Sequence, residues 1–336
     1  MSTTATDQPN RALRLLSKLG PFIALIALLV IFRIALGIGD SPSDFWSATN
    51  LRIILVQTSI VAIAACGMTM IIVSGGIDLS VGSVIALSSV VAGLTLHHGG
   101  DPLLAIAAAI AAGMVAGALN GSLIAAFGLA PFIVTLGMMG VARGAAKLFA
   151  DSSTVSFPTN WLGKLMQPIP FPGDPTIIKA LVVAPGVWLA ALTAVGMALL
   201  MHKSVFGRNA YAIGSNEAAA RLCGVRVRTN KIAIYALAGA LFGLAGLLMT
   251  SQQGQGNPTI ALGMELDVIA AVVIGGASLS GGTGTVLGTI IGALIMSVLR
   301  SGTDQLGWPT AWQEILIGAI IVLAVGIDRL RNRRAG

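Results

Sequence analysis

Ionisable and nucleophilic side chains are sparse in this chain, and their spacing excludes most chemistry. His97, His98 and His202 have no cysteine or acid at metal-ligand spacing, and no Ser/His/Asp arrangement is apparent. Neither a catalytic group nor a metal site is therefore expected. No G-x-x-x-x-G-K-[ST] occurs, so the chain has no phosphate-cradling loop of its own. Gly282-Thr283-Gly284 followed by Gly288 does not fit G-x-G-x-x-G. Cys66, in an apolar run, and Cys223, in a basic one, do not make a disulfide framework. Two patterns remain whose residue types and spacing point to a task. One is a basic segment, and the other is a repeated glycine motif.

The basic segment runs from Met201 to Lys231. Lys203, Arg208, Arg221, Arg226, Arg228 and Lys231 face one acid, Glu217. Within it Asn216 can N-cap a short helix that begins Glu217-Ala218-Ala219-Ala220 and stops at Gly224. Glu217 and Arg221 stand four apart and can pair. Such a helix suits a slim knob docking in a cleft of another protein. The plainer alternative is a solvated basic loop.

The glycine motif occurs twice. Ile72-Val73-Ser74-Gly75-Gly76-Ile77-Asp78-Leu79-Ser80-Val81-Gly82 matches Val273-Ile274-Gly275-Gly276-Ala277-Ser278-Leu279-Ser280-Gly281-Gly282 at an offset of 200 residues. The Gly-Gly pair, a leucine, a serine and the last glycine recur. Glycine and serine interrupt a helix and free backbone groups that need new partners. Breaks at corresponding places of two halves point to a transport pathway. Ser74, Gly75, Gly76, Asp78, Ser80, Gly275, Gly276, Ser278 and Ser280 are its candidate residues. The alternative is a pair of tight turns between antiparallel helices. Asp78 is the acid nearest bilayer depth, where an ionised Asp costs about 2.5–3.5 kcal/mol. It precedes an apolar helix and is expected to cap it, as is its uncharged counterpart Ser278.

The elements that position these motifs are membrane spans. The chain of 336 residues is 55% hydrophobic and 10% charged, with mean hydropathy +0.89. Soluble domains carry about 25% charged residues, so this is an all-α polytopic membrane protein. About ten transmembrane helices are expected, over 21–37, 51–73, 81–97, 102–126, 131–150, 179–201, 231–252, 266–279, 284–300 and 311–328. Arg33 inside the first argues against a cleaved signal peptide. Loop 151–178 is rich in proline, and residues 161–166 in it are expected to form one helical turn at the interface. The tail 1–20, the loop 202–231 and the tail 329–336 hold 3, 6 and 4 of the 20 basic residues. Positive-inside then puts both termini and the 202–231 loop in the cytoplasm, with 151–178 outside. The net charge of +7 reports this orientation and not nucleic-acid binding. Three glycine rows, Gly113/Gly117/Gly121, Gly239/Gly243 and Gly284/Gly288/Gly292, let helices approach closely. The spans lack the acid or histidine chains of a proton-coupled carrier. Together these features describe a transport subunit driven by something else.

The sequence resembles the permease subunit of the ribose-type carbohydrate ABC importers. GMTMIIVSGGIDLSVGS at 67–83, AIGSNEAAARLCGV at 212–225 and ELDVIAAVVIGGASLSGGTGTVLGTIIGALI at 265–295 carry the likeness, which extends from about residue 50 to 328. The resemblance implies a homodimeric permease in the bacterial inner membrane, set in lipid. It implies an ABC ATPase below, a periplasmic sugar-binding protein above, and a monosaccharide or polyol as cargo. No cofactor is implied in this chain, because ATP and magnesium belong to the ATPase. Gly214, Asn216, Glu217, Ala218, Ala219, Arg221 and Gly224 become the ATPase-coupling segment. It departs from the longer Glu-Ala-Ala loop of other importer classes, since no Leu-Pro follows the glycine. Leu279-Ser280-Gly281-Gly282 looks like the ATPase signature, but without a phosphate loop the match is coincidental. Nucleoside or branched-chain amino-acid permeases, a stand-alone secondary carrier and a membrane-embedded enzyme are the rival readings.

The charge asymmetry makes a direct prediction. With single cysteines at Ser43, Ser204 or Ala335 in a Cys-free background, an impermeant thiol reagent added to cells should label position 43 alone. Labelling at 204 would overturn the topology.

Overall fold

The computed structural model describes residues 11–37, 45–167 and 183–333. Parts of both tails, residues 168–178 of the proline-rich loop and residues 179–182 of the expected sixth span lie outside the described residues. Most of what is described is helical, and the strands among the described residues are one pair of two residues each.

The helices begin and end where local chemistry dictates. α1 (Arg11–Gly37) carries the first apolar run. α2 (Ala48–Val73) opens on Ser47, whose side chain accepts the Asn50 N–H. α3 (Val81–His97) follows after residues 74–80. α4 (Pro102–Phe127) opens on an Asp101 cap with proline at its start, and Gly128 ends it in the left-handed region. α5 (Pro131–Phe149) and α6 (Pro185–Lys203) also open on proline. Two short helices follow, α7 (Val205–Ser215) and α8 (Glu217–Leu222). The chain then continues through α9 (Val227–Gln253), α10 (Met264–Ile274), α11 (Val286–Gln305) and α12 (Thr310–Arg333).

Among the described residues, seven helices are long and apolar enough to cross a membrane: α1 from Leu19, α2, α4, α5, α6, α9 and α11. α3 and the first part of α12 are apolar but shorter. The expected span over 266–279 is instead α10, a helix of 11 residues. At 1.5 Å per residue that is about 16 Å, half of the roughly 30 Å of hydrocarbon. Gly275 and Gly276 stop it early.

The bundle is centred on α2 and α9. In its most apolar stretch α2 is 89% buried, whereas α1 is 17% buried, so α1 lies at the periphery. α9 packs most extensively on α4 and also meets α2 and α3. The glycine rows explain the α4–α9 contact. A β-carbon at Gly113 or Gly117 would collide with the carbonyls of Gly239 or Tyr235. Gly288 and Gly292 likewise lie against Gly275 and Ala271 of α10. Gly284 does not belong to that row. It precedes α11, at φ +153°, against Ala277 and Val73.

The far ends of the helices are tied together by strands. β1 (Val155–Ser156) pairs antiparallel with β2 (Gln255–Gly256). Gly93 of α3 lets Gly256 approach. The turn expected over 161–166 is a 3-10 turn at Leu162–Lys164. Leu162 is fully buried with Ala92 and Leu247, so the turn caps the bundle.

Gly117→Val should lower stability by about 1–3 kcal/mol by overpacking a backbone contact. Gly196→Ala, with nothing within 4 Å of the added carbon, should be neutral or slightly stabilising. Thermal unfolding in detergent compares them, and equal melting of Gly117→Val and wild type would refute the α4–α9 contact.

Candidate functional site

The two glycine motifs and the basic loop converge on one spot. Val73 ends α2, and Gly75 turns the chain at φ +83°. The Gly75 and Gly76 N–H groups donate back to the Ile72 and Ile71 carbonyls, at 2.9 Å each. α10 ends the same way at Ile274, with Gly276 at φ +92° donating to the Val273 carbonyl and Ala277 to that of Val272. Both closures satisfy the orphan carbonyls of a helix end. The left-handed glycine is thus Gly75 in one copy and Gly276 in the other, one residue off the 200-residue offset. The polar turn keeps the offset. Asp78 Oδ1 accepts the Ser80 N–H at 2.7 Å and the Ser80 hydroxyl at 2.6 Å. Ser278 Oγ meets Ser280 Oγ at 2.7 Å and accepts the Ser280 N–H at 3.4 Å.

The capping role expected of Asp78 and Ser278 is corrected here. α3 starts on Ser80, which makes no side-chain cap bond. α11 starts on Thr285, whose Oγ1 accepts the Gly288 N–H at 3.1 Å. Asp78 and Ser278 instead close tight turns ahead of each helix. Asp78 is 1% exposed, and Asn120 of α4 donates to both Asp78 Oδ2 and Ser80 Oγ. Thr135 of α5 accepts the Leu79 N–H at 3.1 Å. Gly76 leaves room for the buried Tyr235 hydroxyl, which a β-carbon would strike. Asn120, a polar residue inside an apolar helix, is the signal that could have revealed this network. Ser74 caps α2, its hydroxyl donating to the Ile71 carbonyl at 2.8 Å.

The second motif touches the first directly. The Gly282 N–H donates to the Val73 carbonyl at 2.8 Å. Gly214, near the end of α7, sits on that bond, and a β-carbon there would run into Val73 O and Gly282 N. Gly281, at φ +87°, lies against Gly214 and Gly75. The Tyr211 hydroxyl donates to the Gly284 carbonyl at 2.7 Å. Gly275 packs on Gly288. Gly214 therefore belongs to the seat of the knob and not to the knob itself, which corrects its expected place. α7 was not anticipated, and neither was the part played by Gly281, Gly282 and Tyr211.

The knob follows immediately. Asn216 Oδ1 accepts the Ala219 N–H at 2.9 Å and starts α8. Gly224, at φ +83°, ends it, with Gly224 and Val225 donating to the Arg221 and Ala220 carbonyls. Ala220 is buried on Ile213 and Val227, while Ala218, Ala219 and Arg221 point outward with Leu222, which is 90% exposed. Glu217 accepts from Lys231 of α9 at 2.7 Å and from Arg221 at 3.1 Å. The bond from Lys231 and the charge of both partners hold the Glu217 carboxyl below its ordinary range, against partial burial. The pairing is complete above the ordinary carboxylate value near 4.3 and is lost as pH falls through the lowered one.

The described bundle thus presents a short, capped helix whose base lies against the end of α2 and the loop between α10 and α11. Residues 50–325 match the family described as the permease component of the branched-chain amino acid transport system, and the chain belongs to that family. It is 41% identical to the ribose import permease protein of Bacillus subtilis (strain 168) over 94% of each chain. It is 40% identical to that of Escherichia coli (strain K12), over 92% of this chain and 94% of the relative. The fructose import permease protein of Rhizobium meliloti is 35% identical over 92% and 84% of the two chains. No solved structure matches. The chain is thus an ABC importer permease subunit, a multi-pass protein of the bacterial inner membrane.

Asp78→Ala should cost about 1–3 kcal/mol, because it leaves the buried Ser80 N–H without its acceptor. Asp78→Asn keeps an oxygen there and should retain most of the stability. Thermal unfolding in detergent checks both. Equal losses would show that the charge matters and not the turn.

Proposed function

We propose that the chain is the membrane subunit of a monosaccharide importer driven by a separate ABC ATPase. A periplasmic binding protein delivers the sugar, and two copies of the chain enclose the path. The ATPase binds ATP and magnesium, and this chain needs no cofactor of its own. Each copy crosses the membrane with about ten helices, both termini inside, and is interrupted at Gly75-Gly76 and Gly275-Gly276. Relatives named for ribose, fructose, D-allose and xylose support a sugar. The family description favours a branched-chain amino acid instead. The four sugar names, on relatives 33–41% identical to this chain, favour the first reading.

The observation that carries the coupling role is the seat of α8. A push on a slim helix reaches whatever its base touches without a compressible layer. Here the base continues into Gly214, which lies on the Gly282–Val73 hydrogen bond. Closure of an ATPase cleft around Ala218, Ala219 and Leu222 would therefore move the end of α2 and the loop between α10 and α11 together.

Purified permease, ATPase and binding protein in proteoliposomes test this. Ala219→Asp places a charge on the docking face. Gly224→Pro removes the N–H that closes the helix and demands a negative φ. Each should lower sugar uptake and binding-protein-stimulated ATP hydrolysis about tenfold or more, equivalent to about 1.4 kcal/mol of docking energy, with normal insertion. Wild-type stimulation in both variants would return the loop to a solvated basic turn.

A further inference from the structure

A cavity of about 380 Å³ lies where the end of α4 meets α8 and the start of α9. α4 and α9 are both long and apolar enough to cross a membrane, and the first ends at Phe127 where the second begins at Val227. The cavity therefore sits at the membrane surface and not within the hydrocarbon. Arg221, Arg226, Arg228 and Lys231 line it against one acid, Glu217. Glu217 is already taken by Arg221 and Lys231. Arg226 and Arg228 are exposed and make no ion pair among the described residues. The negative end of α4 and the positive end of α9 meet here and offset each other, so the side chains set the sign of the site. Four cations that share a cavity with one acid repel one another, and an anion between them removes that cost.

The remaining wall is apolar. Ile124, Ala125 and Gly128 of α4 line it and add no charge. Phe127 and Leu129, on either side of Gly128, are exposed, and so are Phe132 and Ile133 at the start of α5. These side chains offer a hydrocarbon tail an apolar surface. A complementary ligand thus carries a phosphate for the guanidinium groups, which bind it through paired N–H donors, and tails for the surface beside them. An anionic phospholipid has both. Basic pockets between spans on the cytoplasmic side suit such headgroups, and the cytoplasmic placement proposed for the 202–231 loop puts the cavity on that side. The volume is within the roughly 300–1,000 Å³ of small-molecule pockets.

We propose that this cavity holds the phosphate of an anionic phospholipid between Arg226, Arg228 and Lys231, with the acyl chains along the end of α4. The proposal does not depend on which solute the importer carries. Purified permease in detergent is titrated with phosphatidylglycerol, and bound lipid is counted by native mass spectrometry. Phosphatidylcholine, whose headgroup has no net charge, and inorganic phosphate, which has no tails, should compete at least tenfold less well. Arg226→Gln with Arg228→Gln should weaken phosphatidylglycerol binding about tenfold or more, the effect of removing two basic side chains from an anionic headgroup. Arg226→Lys with Arg228→Lys keeps both charges and should retain most of the binding; an equal loss in this pair overturns the charge assignment. Lys203→Gln with Arg208→Gln removes two cations of the same basic segment from outside the cavity and should have little effect. An equal loss there would mean diffuse surface charge and overturns the site. Equal binding of phosphatidylcholine, or full displacement of the lipid by inorganic phosphate at the same concentration, overturns it as well. An acidic side chain of the ATPase is the rival occupant. If the Arg226→Gln, Arg228→Gln permease binds ATPase more weakly in phosphatidylcholine nanodiscs while its binding of phosphatidylglycerol is unchanged, the lipid is not the ligand.

Discussion

Backbone meeting backbone, with no side chain between, is the constraint on which this structure depends. Lipid supplies no hydrophobic force between helices, so close packing and hydrogen bonds must hold them. Glycine permits both. At Gly113, Gly117, Gly239 and Gly243 it lets α4 and α9 touch along their length. At Gly75, Gly214 and Gly281 it brings three separate segments to one point. There the Gly282–Val73 bond joins the second motif to the end of α2. Side chains at that point would hold the segments apart, and rotamer changes could absorb a displacement. Their absence makes the seat stiff.

The knob is held by several weak terms of different kinds. Glu217 is partly exposed and pairs with Lys231 and Arg221. Surface pairs of this kind contribute about 0–1 kcal/mol. The Asn216 cap contributes about 1 kcal/mol, and Ala220 anchors the helix on Ile213 and Val227. A six-residue helix is far below the length that is stable alone. Its conformation is thus imposed from both ends, by Asn216 and by Gly224, and from below by its apolar base. The outward face is left free of structural duty.

Polar groups inside the bundle differ in whether the described residues satisfy them. Asp78, Ser80, Asn120 and Thr135 bond to one another or to backbone and fix the loop before α3. Thr69 of α2 and Thr289 of α11 bond at 2.7 Å and tie two central helices. Gln57, Asp267 and Ser297 each keep a buried oxygen without a hydrogen-bond partner among the described residues. The first kind specifies the fold.

The sequence by itself determined the class of fold and the local signals. Composition required a polytopic helical protein, and apolar runs placed most helices to within a few residues. Asn216 and Gly224 marked both ends of α8, because capping is decided by residues in contact along the chain. The glycine motifs were visible as a repeat. Their geometry was not, because whether Gly75 or Gly76 turns left-handed depends on where α2 stops. The sequence could not show that Asp78 closes a turn ahead of its helix, or that Asn120 and Thr135 hold it from α4 and α5. Nor could it show that Gly214 rests on a bond between residues 73 and 282. Periodicity records which face of a helix is apolar, but not which distant helix that face meets. Only the tertiary structure brought Gln57, Asp267 and Ser297 to one cavity between α2, α9, α10 and α11, because residues more than 200 positions apart become neighbours through packing alone.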